Sequence, residues 1–218
     1  MKPLMLDRFY KYLDAPLTMW IRVLLVLLLV PLAFSVLSPL WKISMTAPQY
    51  PKGLWLEIYS HKLEAGNNGQ HLQEINTLNH YIGMHTIQRE DLNELDWLPF
   101  AIGILALLTL RVAVVGNVRS LVDLSALALY LAAFSFARFY YKMWYFGHNL
   151  DPKAPMTIEP FTPAIFGTKQ IANFTTTSLP GTGGWLLAVY TTGVIVVTLL
   201  YLWLGRRNAI RVLDTTTA

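Results

Sequence analysis

Four long apolar runs constrain the fold of this chain more than any other feature. They lie at about Trp20–Leu40, Trp97–Val115, Leu121–Tyr140 and Trp185–Leu204. A helix needs about 20 apolar residues to cross the hydrocarbon core of a bilayer, and each run is close to that length. The sequence therefore predicts an integral membrane protein with four transmembrane helices.

Composition supports the same class and excludes others. Hydrophobic residues make up 54% of the 218 residues and charged residues only 14%, so four spans leave no room for a large second domain. The net charge of +4 does not predict nucleic-acid binding, because the basic residues are scattered along the flanks of the spans. The chain has no cysteine, which excludes disulfides and thiolate metal ligands.

The distribution of basic residues predicts the orientation of the chain. Nine of the 17 basic residues flank the first span, bracket the turn between the second and third spans, or follow the last span. The first long loop carries more acidic than basic residues. Because basic residues favour the cytoplasmic side, we expect both termini in the cytoplasm and both long loops outside, in the periplasm, with the chain in a bacterial inner membrane.

These boundaries divide the chain into nine predicted segments. They are a cytoplasmic amphipathic N-terminus at 1–19, spans at 20–40, 97–115, 121–140 and 185–204, periplasmic loops at 41–96 and 141–184, a cytoplasmic turn at 116–120 and a cytoplasmic tail at 205–218.

The predicted fold class is all-α: a four-helix transmembrane bundle with a periplasmic cap formed by the two long loops. Within the first loop, apolar residues at helical spacing predict a helix over 70–82, with Gly83 as its stop. Residues 54–64 are compatible with either a strand or a short helix. The five prolines of the second loop exclude a long helix there and favour an ordered extended lobe.

The strongest candidate site is a possible copper site at His80, Met84 and His85. On a continuous helix His80 and Met84 share a face, which projects nearly opposite the apolar stripe. Imidazole and thioether ligands suit copper, and thioethers suit Cu(I) in particular. The same loops hold further side chains that can complete such a site: Met45, His61, His71, His148 and Met156. The alternative is that these residues cap the helix or line an interface.

Charged residues near the span ends form a second group of candidates. Asp123 and Arg138 lie towards opposite ends of the third span, and Arg111 lies near the end of the second. Ionisable groups inside a bilayer often carry a function. All three are within reach of an interface, however, so snorkelling or a structural pairing of Asp123 with Arg119 or Arg111 is the favoured interpretation.

Two stretches of the first loop resemble a family of bacterial inner-membrane proteins. They are residues 47–54 (APQYPKGL) and residues 75–84 (INTLNHYIGM). The resembling proteins are encoded beside maturation genes for copper-dependent nitrous oxide reductase. The resemblance implies an accessory factor in copper delivery or respiratory-complex assembly, and it implies His80 and Met84 as the residues to examine. It covers the first loop well and the remainder only as a similar pattern of spans.

We therefore expect a non-enzymatic membrane accessory protein that handles copper for a periplasmic respiratory metalloenzyme. The alternative is a structural subunit of a larger membrane complex, with the apolar second loop as its docking surface. Both interpretations imply the lipid bilayer and other membrane or periplasmic subunits as partners. No catalytic arrangement of side chains stands out, which disfavours an enzyme.

The orientation is testable with reporter fusions. Alkaline phosphatase fused after Gly66 is expected to be active, because the enzyme folds only on the periplasmic side, whereas a fusion after Arg207 is expected to be inactive. The opposite pattern of activities would show that the predicted orientation is inverted.

Overall fold

The structure is a computed structural model that describes the backbone of residues 10–217 and the side chains of residues 10–205. The amphipathic N-terminus predicted at 1–19 therefore falls partly outside the described residues. In chain order the elements are helix α1 (Met19–Leu37), strands β1 (Trp41–Ala47), β2 (Tyr50–Ile58) and β3 (Leu63–Ala65), helix α2 (Gln70–Tyr81), a short 3-10 helix (Arg89–Asp91), helices α3 (Glu94–Val115) and α4 (Val118–His148), strands β4 (Gly167–Ile171) and β5 (Phe174–Pro180), and helix α5 (Thr182–Thr217).

Four of the described helices are long and apolar enough to cross a membrane. They are α1, α3, α4 and the part of α5 that ends at Gly205, and they coincide with the four apolar runs. Helix α4 continues to His148, well beyond the predicted end at residue 140. The sequence after residue 140 contains no proline before Pro152, so nothing in it stops the helix.

The all-α prediction is wrong, because the two long loops build a five-stranded antiparallel sheet in the order β3-β2-β1-β5-β4. The protein is a mixed α/β membrane protein. Ile43, Met45 and Ala47 are buried at alternate positions of β1, which is the period-2 pattern of a strand with one covered face. The prolines of the second loop exclude a helix, but Pro180 fits at the end of β5.

The chain divides into two compact units. The first contains the described part of the chain up to Leu32, Ile102–Ala132, and the chain from Leu187 onward, so it holds most of the spans. Its helices are joined by polar contacts as well as apolar packing. The Thr109 hydroxyl lies 2.7 Å from the fully buried Tyr190 hydroxyl, and the Arg22 guanidinium donates a hydrogen bond to the Val114 carbonyl oxygen.

The second unit, which we call the head, comprises Ala33–Ala101 and Ala133–Leu186. Its apolar core combines one face of the sheet with α2 and the last turns of α4. The central members are Ile43, Met45, Leu54, Leu56, Ile75, Ile82, Met143, Phe146, Ile171 and Phe174. Helix α2 buries Ile75 in this core, with Leu72 and Leu78 packed beside it and Ile82 buried directly after the last helical turn, which confirms the predicted apolar face of that helix.

Strand β1, from the first loop, pairs with β5, from the second loop, from Trp41 opposite Pro180 to Thr46 opposite Thr175. A side-chain contact reinforces this pairing: the Trp41 indole N–H donates to the buried Ser178 hydroxyl at 2.7 Å. The Trp41 ring also packs on Phe139 of α4, with ring centroids 4.8 Å apart. Because one sheet contains both loops, both loops belong to one compact unit.

Substituting Trp41→Phe is expected to destabilise the head. The change keeps most of the ring packing but leaves the buried Ser178 hydroxyl without its donor, which costs about 1–3 kcal/mol. Circular dichroism during chemical unfolding in detergent micelles measures the free energy of unfolding. The matched control is Trp185→Phe, because Trp185 is 63% exposed and is expected to change stability by less than about 0.5 kcal/mol. Equal effects of the two substitutions would contradict a structural role for the Trp41–Ser178 bond.

Candidate functional site

The position of His80 depends on how helix α2 ends. The Met84 N–H donates to the Asn79 carbonyl oxygen at 2.8 Å, and the Gly83 N–H donates to the His80 carbonyl oxygen at 3.1 Å. With Gly83 at a φ of +78°, these two bonds form the Schellman arrangement that commonly ends helices. The predicted stop at Gly83 is confirmed, and the helix itself ends at Tyr81.

This ending changes the relation between His80 and Met84. Met84 lies beyond the left-handed Gly83, so the two side chains do not share a helix face as the spacing predicted. His80 is exposed to solvent, whereas Met84 is half-buried and packs against the apolar core of the head. The expectation that both side chains point away from the apolar stripe is therefore wrong for Met84.

His80, Met84 and His85 nevertheless line the same surface cleft. Its other lining residues are Gly83, Thr86, Asn149, Leu150 and Asp151. The second loop closes one side, because the Asp151 N–H donates to the Gly83 carbonyl oxygen at 2.8 Å. We call this opening the histidine cleft.

His85 is fixed by an aromatic contact with α4. Its ring stacks on Tyr145 with centroids 5.8 Å apart and an angle of 18° between the planes. The imidazole is exposed, so the stacking orients the ring while leaving it accessible. The histidine cleft thus offers two accessible imidazoles and one thioether, which is a ligand set that suits copper.

The other histidines named from the sequence have partners elsewhere in the head. The His71 ring accepts a hydrogen bond at Nδ1 from the backbone N–H of Trp55 at 3.2 Å. His148 lies 2.9 Å from the Trp144 carbonyl oxygen and stacks on the Trp144 ring. His61 lies in contact range of Ser60 and Tyr59. The structure brings none of these three imidazoles to the lining of the histidine cleft.

Among the described residues, no group of three or more histidine, aspartate and glutamate side chains is arranged to hold a metal ion. Met45 and Met156, the two remaining candidates from the sequence, both pack into the apolar core of the head. Met45 and Met84 line a small cavity inside that core. The copper hypothesis therefore involves the exposed imidazoles of His80 and His85 together with thioethers that pack into the apolar core.

Sequence reasoning missed three polar or sulfur-containing residues of that cavity. Asn79 and Thr176 are 1% and 5% exposed, and Met143 lies on the buried face of α4. A signal existed for Asn79, because it is a polar residue on the apolar stripe of α2. No local signal existed for Met143 or Thr176, since only the folded sheet and α4 bring them to α2.

Some of the charged residues near the span ends form ion pairs. The Arg138 guanidinium pairs with the Glu94 carboxylate at 2.8 Å, and Arg119 pairs with Asp14 at 3.1 Å. The expected pairing of Asp123 with Arg119 is not formed. Arg111 and Asp123 line one open polar cleft within the span-containing unit, without an ion pair to each other. The Arg138–Glu94 pair favours a structural role for Arg138.

Comparisons with known proteins found no matching family model, no matching curated protein and no matching solved structure. The family resemblance suggested by the two loop motifs therefore stays a prediction.

Gly83 is required at the edge of the histidine cleft for two separable reasons. Its φ of +78° disfavours any residue with a side chain, and a Cβ at this position would lie 2.9 Å from the Asp151 carbonyl oxygen. Gly69 has a φ of +90° but no atom within 4 Å of such a Cβ. Gly69→Ala is thus a matched control, because it adds the conformational strain of a positive φ without any steric contact of the new Cβ.

We expect Gly69→Ala to lower the free energy of unfolding by about 1 kcal/mol. Gly83→Ala is expected to cost about 1–3 kcal/mol more, because the backbone contact adds to the strain. Chemical unfolding of both variants in detergent measures the difference. Similar losses for the two variants would mean that the second loop is not packed against Gly83.

Proposed function

We propose that this chain is a non-enzymatic membrane accessory protein that binds copper in its head and passes it to a partner protein. The observation that carries the proposal is the histidine cleft, in which His80, Met84 and His85 line one accessible opening. These residues are close in sequence, but they face the same cleft only because the helix ends between them.

The ligand chemistry favours copper among the common metals. Imidazole nitrogen and thioether sulfur are neutral, soft or borderline donors, whereas Mg²⁺ and Ca²⁺ prefer oxygen ligands. The thiolates that most often hold structural zinc are absent from the sequence. Neutral donors at an open surface suit an ion that is taken up and released rather than held permanently.

The location of the head also supports a role in delivery. Four helices are long and apolar enough to anchor the chain in a bilayer. Both loops of the head share one sheet, so a single side of the membrane carries the histidine cleft. From the distribution of basic residues we place that side in the periplasm of a bacterial inner membrane, with both termini in the cytoplasm. The head is then positioned to meet a periplasmic metalloenzyme.

A structural subunit of a larger membrane complex is the second candidate function. It is favoured by strand β4, which is an outer strand of the sheet and has only β5 as a neighbour. Thr168, Lys169 and Gln170 of this strand are exposed. An outer strand offers backbone groups that can pair with a strand of another protein. In this case the head would dock a partner and the purified protein would hold no metal.

Copper binding tests the first proposal directly. The purified full-length chain is titrated with Cu(I) in competition with a chelator of known affinity. The double variant His80→Ala with His85→Ala removes both exposed imidazoles and leaves Met84 in the core. We expect its affinity for copper to fall by more than about 100-fold, since changes outside the ligand set already cost about 10–100-fold.

The matched control is His61→Ala, which removes an exposed imidazole that does not line the histidine cleft. It is expected to leave the affinity unchanged. An absence of copper binding by the wild-type chain, combined with recovery of a stoichiometric partner from native membranes, would replace the delivery role with the structural-subunit role.

A further inference from the structure

A small internal cavity of the head contains polar atoms that lack partners among the described residues. The cavity has a volume of about 40 Å³ and an almost entirely apolar lining. The side-chain oxygen and nitrogen of Asn79 and the hydroxyl oxygen of Thr176 are buried, and none of them has a hydrogen-bond partner among the described residues. Both residues line the cavity.

Such an arrangement needs a physical reason. A buried amide without a partner is unfavourable, and native proteins seldom retain one outside a binding or catalytic site. A leucine at position 79 would continue the apolar stripe of α2 and would remove that cost. The retained amide therefore points to a ligand with which its carbonyl oxygen interacts.

The remaining lining indicates the chemistry of that ligand. Met45 of β1, Met84 after α2 and Met143 of α4 all border the cavity, so three separate elements each contribute a thioether. Phe146 and Phe174 also line it, and aromatic faces attract cations. Thioethers are soft, neutral ligands that select Cu(I) among biological metal ions.

Met84 belongs to both openings. It lines the histidine cleft together with His80 and His85, and it lines the internal cavity together with Met45 and Met143. A thioether with access to both sides can accept an ion from the exposed imidazoles and pass it inward. Met84 adjoins the left-handed Gly83, whose conformation turns the chain into the core.

We infer that the cavity is an internal Cu(I) site filled through the histidine cleft, with the thioethers of Met45, Met84 and Met143 as its ligands. The dipole of the unpaired Asn79 amide stabilises the positive charge of the ion without serving as a ligand. This inference rests on the proposed copper-binding function and adds to the surface site at His80 and His85 a second, internal position for Cu(I). The two positions are titrated separately: His80→Ala/His85→Ala weakens the surface site, and Met45→Leu/Met143→Leu weakens the internal one. The ion enters as Cu(I), and no redox step is involved.

The first test compares full-length variants by X-ray absorption spectroscopy after loading with Cu(I). Met45→Leu with Met143→Leu is a volume-conserving change that protein cores tolerate. The wild-type chain is expected to show three sulfur scatterers around the internal copper ion. The double variant is expected to keep only the Met84 sulfur and to bind Cu(I) at the internal site more than about 100-fold more weakly. Met156→Leu is the control, because Met156 packs on the same core but does not line the cavity.

The outcomes separate this inference from the proposed function. Copper held by nitrogen ligands, with an affinity unchanged in Met45→Leu/Met143→Leu and lost in His80→Ala/His85→Ala, would overturn the internal site and leave the copper function standing. A wild-type chain that binds no copper would overturn both.

A second measurement needs no copper and tests Asn79 by itself. If its amide is kept for an ion, Asn79→Leu is expected to raise the melting temperature of the metal-free protein, because it removes an unpaired buried group. The same variant is expected to weaken Cu(I) binding. A lower melting temperature would mean that the amide is satisfied by a bound water molecule in the metal-free protein, and it would contradict the ion site.

Discussion

The pairing of β1 with β5 is the interaction on which the head depends. Strand β1 follows the first span and β5 precedes the last, so this single ladder joins segments more than 120 residues apart in sequence, as with Trp41 and Pro180. It places β1 at the centre of the sheet and creates the covered face against which α2 and α4 pack. Backbone pairing in a central strand satisfies polar groups that would otherwise need water. Without this ladder the two loops would not form one sheet with a common apolar core.

The way α2 ends positions the side chains of the candidate site. Because Gly83 adopts a left-handed conformation, the chain leaves the helix and directs Met84 into the core, while His80 and His85 stay exposed. The second loop holds that geometry through the bond from Asp151 to Gly83. The exposed imidazoles of His80 and His85 and the half-buried thioether of Met84 are thereby adjacent along one short segment. Binding at the surface and retention in the core become two stages of one proposed route for copper.

Several parts of this architecture were predictable from local patterns. Each apolar run is long enough to need a bilayer, so the four spans follow from length and composition alone. The helix of residues 70–82 follows from its apolar spacing, and its end follows from Gly83. The sheet was missed because residues 54–64 fit either a strand or a short helix by their local pattern. Strand pairing is decided by partners distant in sequence, and no local pattern records which segment will be adjacent.

The sequence by itself determined the membrane anchoring, the lack of thiol chemistry and the identity of the possible ligands in the first loop. Tertiary structure alone decided the fold class of the head and which ligands meet. His80 and Met84 share a cleft through the helix ending and not through helical periodicity. Met143 and Thr176 reach Asn79 only when β5 and α4 fold against α2. The physical reason is that hydrophobic length is a local property, whereas a cavity is formed by side chains from several elements whose positions depend on the whole head.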